Sequence, residues 1–196
     1  MRKISEKSRK FGSSIIFLGY NETRTTLIHE LSSDGHEIWH SDEKLTCTVG
    51  YDIGVCFGYQ HILEGEVLNN QDCPIVNLHI GYLPYNKGAH PNFWSFYEGT
   101  PSGVTIHLVD EDIDTGGILF QEYVNFNPPE KTFKQTYERL IVEIEALFVK
   151  NKEAIITKDF EINSQRGIGT FHKGADLPKE FHGWDSVITD EIARLD

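Results

Sequence analysis

The 196-residue sequence is poor in cysteine, short of basic residues and free of long apolar runs. Its three cysteines, Cys47, Cys56 and Cys73, are odd in number and form no Cys-x-x-Cys pair, which favours reduced thiols in the cytoplasm over a disulfide framework. Lys and Arg number 18 against 30 Asp and Glu, and the net charge of −12 argues against binding to nucleic acid or to an anionic membrane surface. No apolar run approaches the roughly 18 residues of a transmembrane helix.

The residues that are present fit a globular chain with three parts. Residues 1–13 hold five basic residues and one acid, and the apolar run after them stops at Gly19, so we expect a disordered tail rather than a signal peptide. Residues 14–155 are expected to form the main domain, because apolar segments recur throughout them. Residues 156–196 are rich in Gly and Asp, and we expect a small C-terminal hairpin and an extended tail there.

Short apolar segments alternate with helical patterns in the first half of the chain. Strands are predicted over Ser14–Gly19, Glu37–His40, Asp52–Phe57 and Pro74–Leu78, and helices over Thr25–Ser33 and His61–Leu68. Strands that are almost continuously apolar and that alternate with helices are buried on both faces. The pattern therefore predicts an α/β, Rossmann-like fold with a mostly parallel sheet flanked by helices.

The second half of the chain predicts two more strands and two helices. A helix is expected over Pro91–Glu98, strands over Val104–Val109 and Ile118–Val124, and a long helix from Thr132 to about Lys152. The apolar stripe of the long helix is interpreted as core. We expect the Val104–Val109 strand to lie beside the strand that ends near Asn77.

Asn77 and His79 form the densest polar pair at the end of a predicted strand. Alternation of side chains places both on the same side of the strand, and the carboxyl ends of strands are where open α/β sheets bind ligands. A single His in such a place is more often structural. An amide donor next to an imidazole that titrates near neutrality nevertheless suits acid–base chemistry.

An acidic loop follows the Val104–Val109 strand, with Asp110, Glu111, Asp112 and Asp114 within five positions. Such a run can be a solvated loop, and alternating carboxylates can also bind calcium. The later Glu and the flanking helices of an EF-hand are missing. The interpretation that fits best is that one carboxylate orients, or pairs with, a histidine from the neighbouring strand.

Taken together, these motifs resemble the folate-dependent formyltransferase family. The resemblance rests on Asn77–Pro84 (NLHIGYLP), Lys87–Gly88, Val104–His107 (VTIH) and Asp112–Gly117 (DIDTGG), which occur in the family's order, and it extends from about residue 14 to about residue 150. It implies a catalytic domain over residues 14–155. It also implies transfer of a formyl group from N10-formyltetrahydrofolate to an amine, with no metal.

The same resemblance implies a role for particular residues. The expected catalytic residues are Asn77, His79 and Asp114. The expected folate-binding residues are Gly58, Tyr59, Ile62, Leu63, Asp110 and Ile113. His107 matches a recurring histidine of the family, whereas Gly81 departs from it, because many relatives carry Ser there.

Within the family, the segment from Tyr82 to Phe96 is similar to sugar N-formyltransferases of the dTDP-4-amino-4,6-dideoxyglucose type, which serve polysaccharide biosynthesis such as that of O-antigen. The implied partners are folate and a nucleotide-linked amino sugar. Lys87 is expected to meet the diphosphate as a point charge. The other expected substrate-binding residues are Asn86, His90, Asn92 and Trp94.

Two alternatives stay open. Glycinamide ribonucleotide formyltransferase resembles the chain in its catalytic residues, but it uses a glycine-rich loop for the substrate phosphate, where this chain has Gly19–Thr23 with an unfavourable Glu22. It also typically has Pro where this chain has Ile80. A non-catalytic folate- or nucleotide-binding module on the same fold is the second alternative, and the filled catalytic positions argue against it.

A homodimer is expected for two reasons. The family's sugar enzymes are often dimeric, which is an analogy. In addition, residues 160–196 hold apolar residues that are too sparse for a core of their own, so this tail must pack on the main domain or on a second copy.

Overall fold

The computed structural model describes residues 1–5, 12–70, 72–126 and 131–195. The strands are β1 (Arg2–Lys3), β2 (Ser14–Gly19), β3 (Glu37–Ser41), β4 (Ile53–Phe57), β5 (Ile75–His79), β6 (Lys87–Gly88), β7 (Gly103–Leu108), β8 (Ile118–Tyr123) and β9 (Phe171–His172). The helices are α1 (Leu27–Ser33), α2 (Glu66–Asn69), α3 (Pro91–Tyr97), α4 (Phe133–Thr157) and α5 (Ile188–Leu195).

Seven strands form one mixed sheet in the order β1-β3-β2-β4-β5-β7-β8. The four strands β3, β2, β4 and β5 are parallel, and β1, β7 and β8 join them antiparallel at the two ends. The predicted α/β fold is thereby confirmed. The expected neighbours β5 and β7 are paired, with Asn77 opposite His107.

The sheet carries an apolar core on each face, which is why its central strands are almost continuously apolar. On one face, Ile15 and Phe17 of β2 pack with residues of α1 and α4. On the other face, Ile16 and Leu18 pack with Val67 of α2 and with the loops around it. Side chains of β5 alternate in the same way, so Asn77 and His79 share the second face with Ile75.

Helix α4 is longer than predicted at its C-terminal end. It begins at a capping box, in which the Gln135 backbone N–H donates to Thr132 Oγ1 and the Gln135 side chain accepts from the Thr132 N–H. It continues past Lys152 because Ile155 and Ile156 extend the buried stripe. It ends at Thr157, and the capping residue Lys158 has a left-handed φ of 62°.

Two expectations for local structure need correction. The helix predicted over His61–Leu68 begins only at Glu66, and residues 61–64 are an irregular segment that leaves Ile62 exposed. The expected tail over residues 1–13 is not wholly disordered, because Arg2–Lys3 pair with β3 through backbone hydrogen bonds. Residues 6–11 of that tail lie outside the described residues.

The C-terminal segment forms no hairpin in its described part. Strand β9 pairs in parallel with β6, a segment of the loop that follows β5. The backbone groups of Phe171 and His172 are therefore paired with Lys87 and Gly88 and not with another part of the tail. Residues beyond β9 pack on the chain's own domain: Leu177, Phe181, Ile188, Ile192 and Leu195 lie against a buried aromatic cluster of Phe93, Trp94 and Phe133. The tail therefore needs no second copy for burial, and the homodimer stays a prediction.

Among the described residues, no helix is long and apolar enough to cross a membrane.

Candidate active site

Asn77, His79 and Asp114 come together at the end of β5, although 35 residues separate His79 from Asp114 in the sequence. Asn77 Nδ2 donates to Asp114 Oδ1 at 3.2 Å. His79 Nδ1 lies 3.4 Å from Asp114 Oδ2. The three side chains that sequence analysis singled out therefore form one polar cluster, in which Asn77 is hydrogen-bonded to Asp114 and Asp114 faces His79.

The position of the His79 proton follows from its neighbours. Its Nε2 lies 3.1 Å from the carbonyl oxygen of Asn86, which can only accept, so Nε2 carries a hydrogen and donates. In the neutral ring, Nδ1 then bears a lone pair and faces the Asp114 carboxylate. A proton arriving at Nδ1 would lie directly beside that carboxylate, which stabilises the imidazolium.

His107 holds the other side of the cluster. Its Nδ1–H donates to the carbonyl oxygen of Leu108 at 2.7 Å, so Nε2 of the neutral ring is an acceptor. Asn77 Nδ2 lies 3.2 Å from this Nε2. The carboxylate oxygen Asp114 Oδ1 is also close, at 3.3 Å. His107 thus fixes which way the Asn77 amide points, a role that sequence analysis did not assign to it.

The cluster shifts the pKa values of its members in directions that suit proton transfer. Burial lowers the pKa of His79 below its ordinary value of 6.5, and the Asp114 charge opposes that shift only in part. Burial would raise the pKa of Asp114, but His79, His107 and the Gly88 N–H outweigh it and lower that pKa well below its usual range. The Gly88 N–H donates to Asp114 Oδ2 at 2.8 Å. Asp114 is therefore ionised and His79 is available as a base.

A cavity of about 1230 Å³ opens above this cluster. All the residues expected to bind folate line it: Gly58, Tyr59, Ile62, Leu63, Asp110 and Ile113. Two of them expose apolar side chains, Ile62 to 53% and Ile113 to 43%. Exposed apolar side chains in a cleft, next to a few polar groups, are typical of small-molecule sites.

Of the residues expected to bind substrate, some line the cavity and others do not. His90 and Asn92 line the cavity, although the Asn92 amide donates to the Phe133 carbonyl oxygen. Asn86, Lys87 and Trp94 are not among the lining residues of the described chain. Asn86 is fully buried and bonds to Thr100 and Thr170 through its side chain, and Trp94 stacks on His172.

Sequence analysis missed a second group of lining residues. These residues are Tyr20, Arg24, Lys134, Tyr137, Phe171, Lys173 and Trp184. Tyr20 and Arg24 follow the carboxyl end of β2, so the rule about strand ends could have found them. The tail residues reach the cavity only through tertiary packing, for which the local sequence gives no signal.

One cysteine, Cys56, is among the residues that line the cavity. No group of three or more metal-binding side chains occurs among the described residues. Cys47, Cys56 and Cys73 are free thiols. Burial raises the pKa of Cys56 far above its usual value and that of Cys73 to about 11, so neither buried thiol is a ready nucleophile.

Comparison with known proteins places these motifs in context. The family model described as formyl transferase matches residues 40–150. The formyltransferase PseJ from Anoxybacillus kamchatkensis, solved in complex with UDP-4,6-dideoxy-4-formamido-L-AltNAc and tetrahydrofolate, is 34% identical with a TM-score of 0.83, covering 93% of this chain and 100% of that chain. A sugar N-formyltransferase from Shewanella sp. FDAARGOS_354 shares the fold, with 20% identity, a TM-score of 0.73 and coverage of 92% and 86%.

Curated relatives match over shorter stretches. The methionyl-tRNA formyltransferase of Syntrophus aciditrophicus is 39% identical over 90 residues, which are 45% of this chain and 28% of the relative. The dTDP-4-amino-4,6-dideoxyglucose formyltransferase of Mycobacterium tuberculosis is 35% identical over 71 residues, which are 36% of this chain and 30% of the relative. The matches thus span about a third or less of these two relatives. The family model covers more than half of the chain, and on that evidence the chain belongs to the formyltransferase family.

Proposed function

We propose that the chain is an N-formyltransferase that moves a formyl group from N10-formyltetrahydrofolate to the amine of a nucleotide-linked amino sugar. The observation that carries the proposal is the polar cluster of Asn77, His79 and Asp114 at the floor of a cavity large enough for two ligands. The likeness to PseJ over almost the whole chain supports the sugar class. The acceptor type first expected, dTDP-4-amino-4,6-dideoxyglucose, belongs to this proposal.

The cavity suits a folate co-substrate in its chemistry. Ile62, Leu63 and Ile113 offer apolar surface for a flat ring, and Tyr59 and Asp110 border the same region with polar atoms. When bound, N10-formyltetrahydrofolate supplies an activated formyl group, so the chain itself need not activate one.

Each catalytic residue has one atom suited to formyl transfer. Both hydrogens of Asn77 Nδ2 are engaged, by Asp114 Oδ1 and His107 Nε2, so Nδ2 becomes a donor for an oxygen that gains negative charge once one of these bonds is released, an interaction worth about 2.7–4 kcal/mol when well placed. His79 Nδ1 is the acceptor for the proton that an attacking amine must lose. Asp114 Oδ2 faces that atom at 3.4 Å and stabilises the resulting charge.

The nucleotide-sugar part of the proposal draws on the lining residues outside the folate region. Arg24, Lys134 and Lys173 line the cavity and can meet a diphosphate. His90 lies 5.2 Å from Trp184, ring centre to ring centre, and this pair offers a surface for stacking. Lys87 remains a candidate for the diphosphate, together with Asn86 and Trp94 as supports of the loop that carries it.

A panel of acceptor amines tests the proposal. The full chain is incubated with N10-formyltetrahydrofolate and, separately, a dTDP-linked 4-amino sugar, a UDP-linked 4-amino sugar, glycinamide ribonucleotide and methionyl-tRNA, and products are weighed by mass spectrometry. We expect a formylated sugar nucleotide. Formylation of glycinamide ribonucleotide or of methionyl-tRNA alone would replace the proposed acceptor. Folate binding without turnover of any amine would favour a binding module.

Two further parts of the proposal concern the protein's setting. We keep the homodimer and the cytoplasm as predictions, the first from analogy with the sugar enzymes and the second from the reduced state of the cysteines.

A further inference from the structure

The C-terminal segment reaches back to the loop that carries Asp114. Gln165 Nε2 donates one hydrogen bond to the carbonyl oxygen of Asp114 at 2.8 Å and one to that of Gly116 at 2.9 Å. Both hydrogens of the amide group are thus used on two carbonyls of a single turn. Gln165 lies outside residues 40–150, the part of the chain that the family model matches.

The residues on either side of Gln165 tie this segment to the sheet and to the loop after β5. We call residues 163–172 the C-terminal strap. Asn163 and Ile118 exchange two backbone hydrogen bonds of 2.7 and 2.8 Å. At the other end of the strap, Thr170 accepts from the Asn86 N–H at 2.8 Å through its hydroxyl oxygen and from the Lys87 N–H at 3.0 Å through its carbonyl oxygen. The strap is therefore anchored on both sides of Gln165.

Through these anchors the strap is linked to residues that contact His79 and Asp114. Asn86, whose N–H bonds to the strap, supplies the carbonyl oxygen that accepts from His79 Nε2. Gly88 of β6 is paired with β9 of the strap, and its N–H donates to Asp114 Oδ2. One continuous segment thus holds both backbone groups that contact the pair: the Asn86 carbonyl, which accepts from His79, and the Gly88 N–H, which donates to Asp114.

Asp114 has a particular need for such support. Its φ of 55° lies in the left-handed region, which is unfavourable for a non-glycine residue and persists only when surrounding contacts hold it. The carboxylate can meet His79 and Asn77 only if this backbone turn stays in place. Within the described residues, the Gln165 side chain is the one that bonds to the Asp114 carbonyl oxygen.

We propose that Gln165 is a positioning residue for catalysis, which acts by holding the Asp114 turn so that the carboxylate stays aligned with His79. The proposal rests on the proposed function, because it takes Asp114 to be catalytic. It adds one residue of the strap, Gln165, to the residues on which catalysis depends. A misplacement of a catalytic group by about 1 Å can cost about 100-fold in rate, so the loss of this support should be visible in kcat.

The test uses the full chain and compares five variants. Gln165→Met keeps the length of the side chain and removes both donors, and Gln165→Ala is made in parallel in case Met packs poorly. Ser164→Ala, an exposed neighbour in the strap, is the matched control. The fourth protein is Asp114→Asn, and the fifth combines Asp114→Asn with Gln165→Met. Each is assayed for formyl transfer with both substrates varied, and its folding is checked by circular dichroism and thermal unfolding.

We expect Gln165→Met to lower kcat by about 10- to 100-fold with both KM values within about 2-fold of wild type. Ser164→Ala should match the wild type. In the Asp114→Asn background, Gln165→Met should cause no further loss, because its effect passes through Asp114.

Three outcomes would overturn the inference. Wild-type kcat in a folded Gln165→Met or Gln165→Ala protein would do so while leaving the proposed function intact. An equal loss in the presence and absence of the Asp114 carboxylate would show that Gln165 acts elsewhere. Wild-type activity of Asp114→Asn itself would overturn both this inference and the catalytic part of the proposed function.

Discussion

The replacement Asp114→Asn removes the one charge on which the cluster depends while keeping the side chain's shape. In the wild type, Asp114 Oδ2 accepts from the Gly88 N–H and faces His79 Nδ1, and Oδ1 accepts from Asn77 Nδ2. If the amide oxygen of the variant keeps the bond to Gly88, its NH₂ group faces the NH₂ group of Asn77. The change therefore removes the stabilisation of protonated His79 and also opposes two donors.

The distance between the charges sets the size of the effect. Two unit charges 3.4 Å apart attract by about 5 kcal/mol at an effective dielectric constant of about 20. This is an upper limit for the loss, because the amide oxygen of Asn still accepts a hydrogen bond. Each 1.36 kcal/mol corresponds to about tenfold in rate. We therefore expect kcat to fall about 100- to 1000-fold, within the range of acid–base catalysis.

The assay is steady-state formyl transfer at saturating concentrations of both substrates, with thermal unfolding as the check on folding. Asp159→Asn makes the same change of charge at an exposed position remote in sequence, and it should leave kcat unchanged. A folded Asp114→Asn protein with kcat within about 3-fold of wild type would refute the reasoning, because that loss corresponds to less than about 1 kcal/mol of the attraction estimated here.

Four further predictions follow from the same geometry. Because the lowered pKa of His79 keeps the ring neutral in the folded state below pH 6.5, where the unfolded chain takes up a proton, stability should be flat above pH 6.5 and decline as the pH falls below it, whereas kcat should hold through pH 6.5 and decline only as the pH falls through the lowered pKa of His79; a pH series of activity and unfolding checks this. Gly81→Ala should lower kcat about 10- to 100-fold, since a Cβ there would lie 2.5 Å from His79 Nε2; a wild-type rate would show that the ring can move aside freely. Lys173→Ala should raise the KM for the sugar nucleotide more than Lys87→Ala does, with the KM for folate unchanged, as initial-rate kinetics would measure. Light scattering at micromolar concentration should give twice the chain mass of 22.4 kDa for the predicted homodimer, and a mass of one chain would reject it.

Much of the sheet was accessible from the sequence because its strands are short apolar runs separated by turn residues. β2, β4 and β5 lie within a residue of their predicted bounds, and each is buried on both faces. The helix predicted over His61–Leu68 failed because its apolar residues do not serve one face: Leu63 is buried, whereas Ile62 points outward. The spacing of apolar residues predicts which side chains avoid water, and an apolar side chain that lines a cavity gives the same pattern as one in a helix core.

The residues of the candidate site also differ in how far the local sequence predicts them. Asn77 and His79 share one strand, so alternation brings them together. Asp114 meets them through the pairing of β5 with β7 and a short loop. The role of the strap could not be predicted, because Gln165 and Thr170 act through hydrogen bonds between segments about 50 and 84 residues apart in the chain. The local sequence contains no pattern that identifies a side chain whose role is to hydrogen-bond to the backbone of a distant residue.

The most direct test of the account is the amount of formylated sugar nucleotide made by the wild type and by His79→Ala in the same assay. N10-formyltetrahydrofolate and a nucleotide-linked 4-amino sugar are supplied to both, and the product is quantified by mass spectrometry over time. The account predicts product from the wild type and at least about 100-fold slower formation by a folded His79→Ala protein. Equal rates from both proteins, or no formylated sugar nucleotide from the wild type with any sugar of the panel, would contradict it.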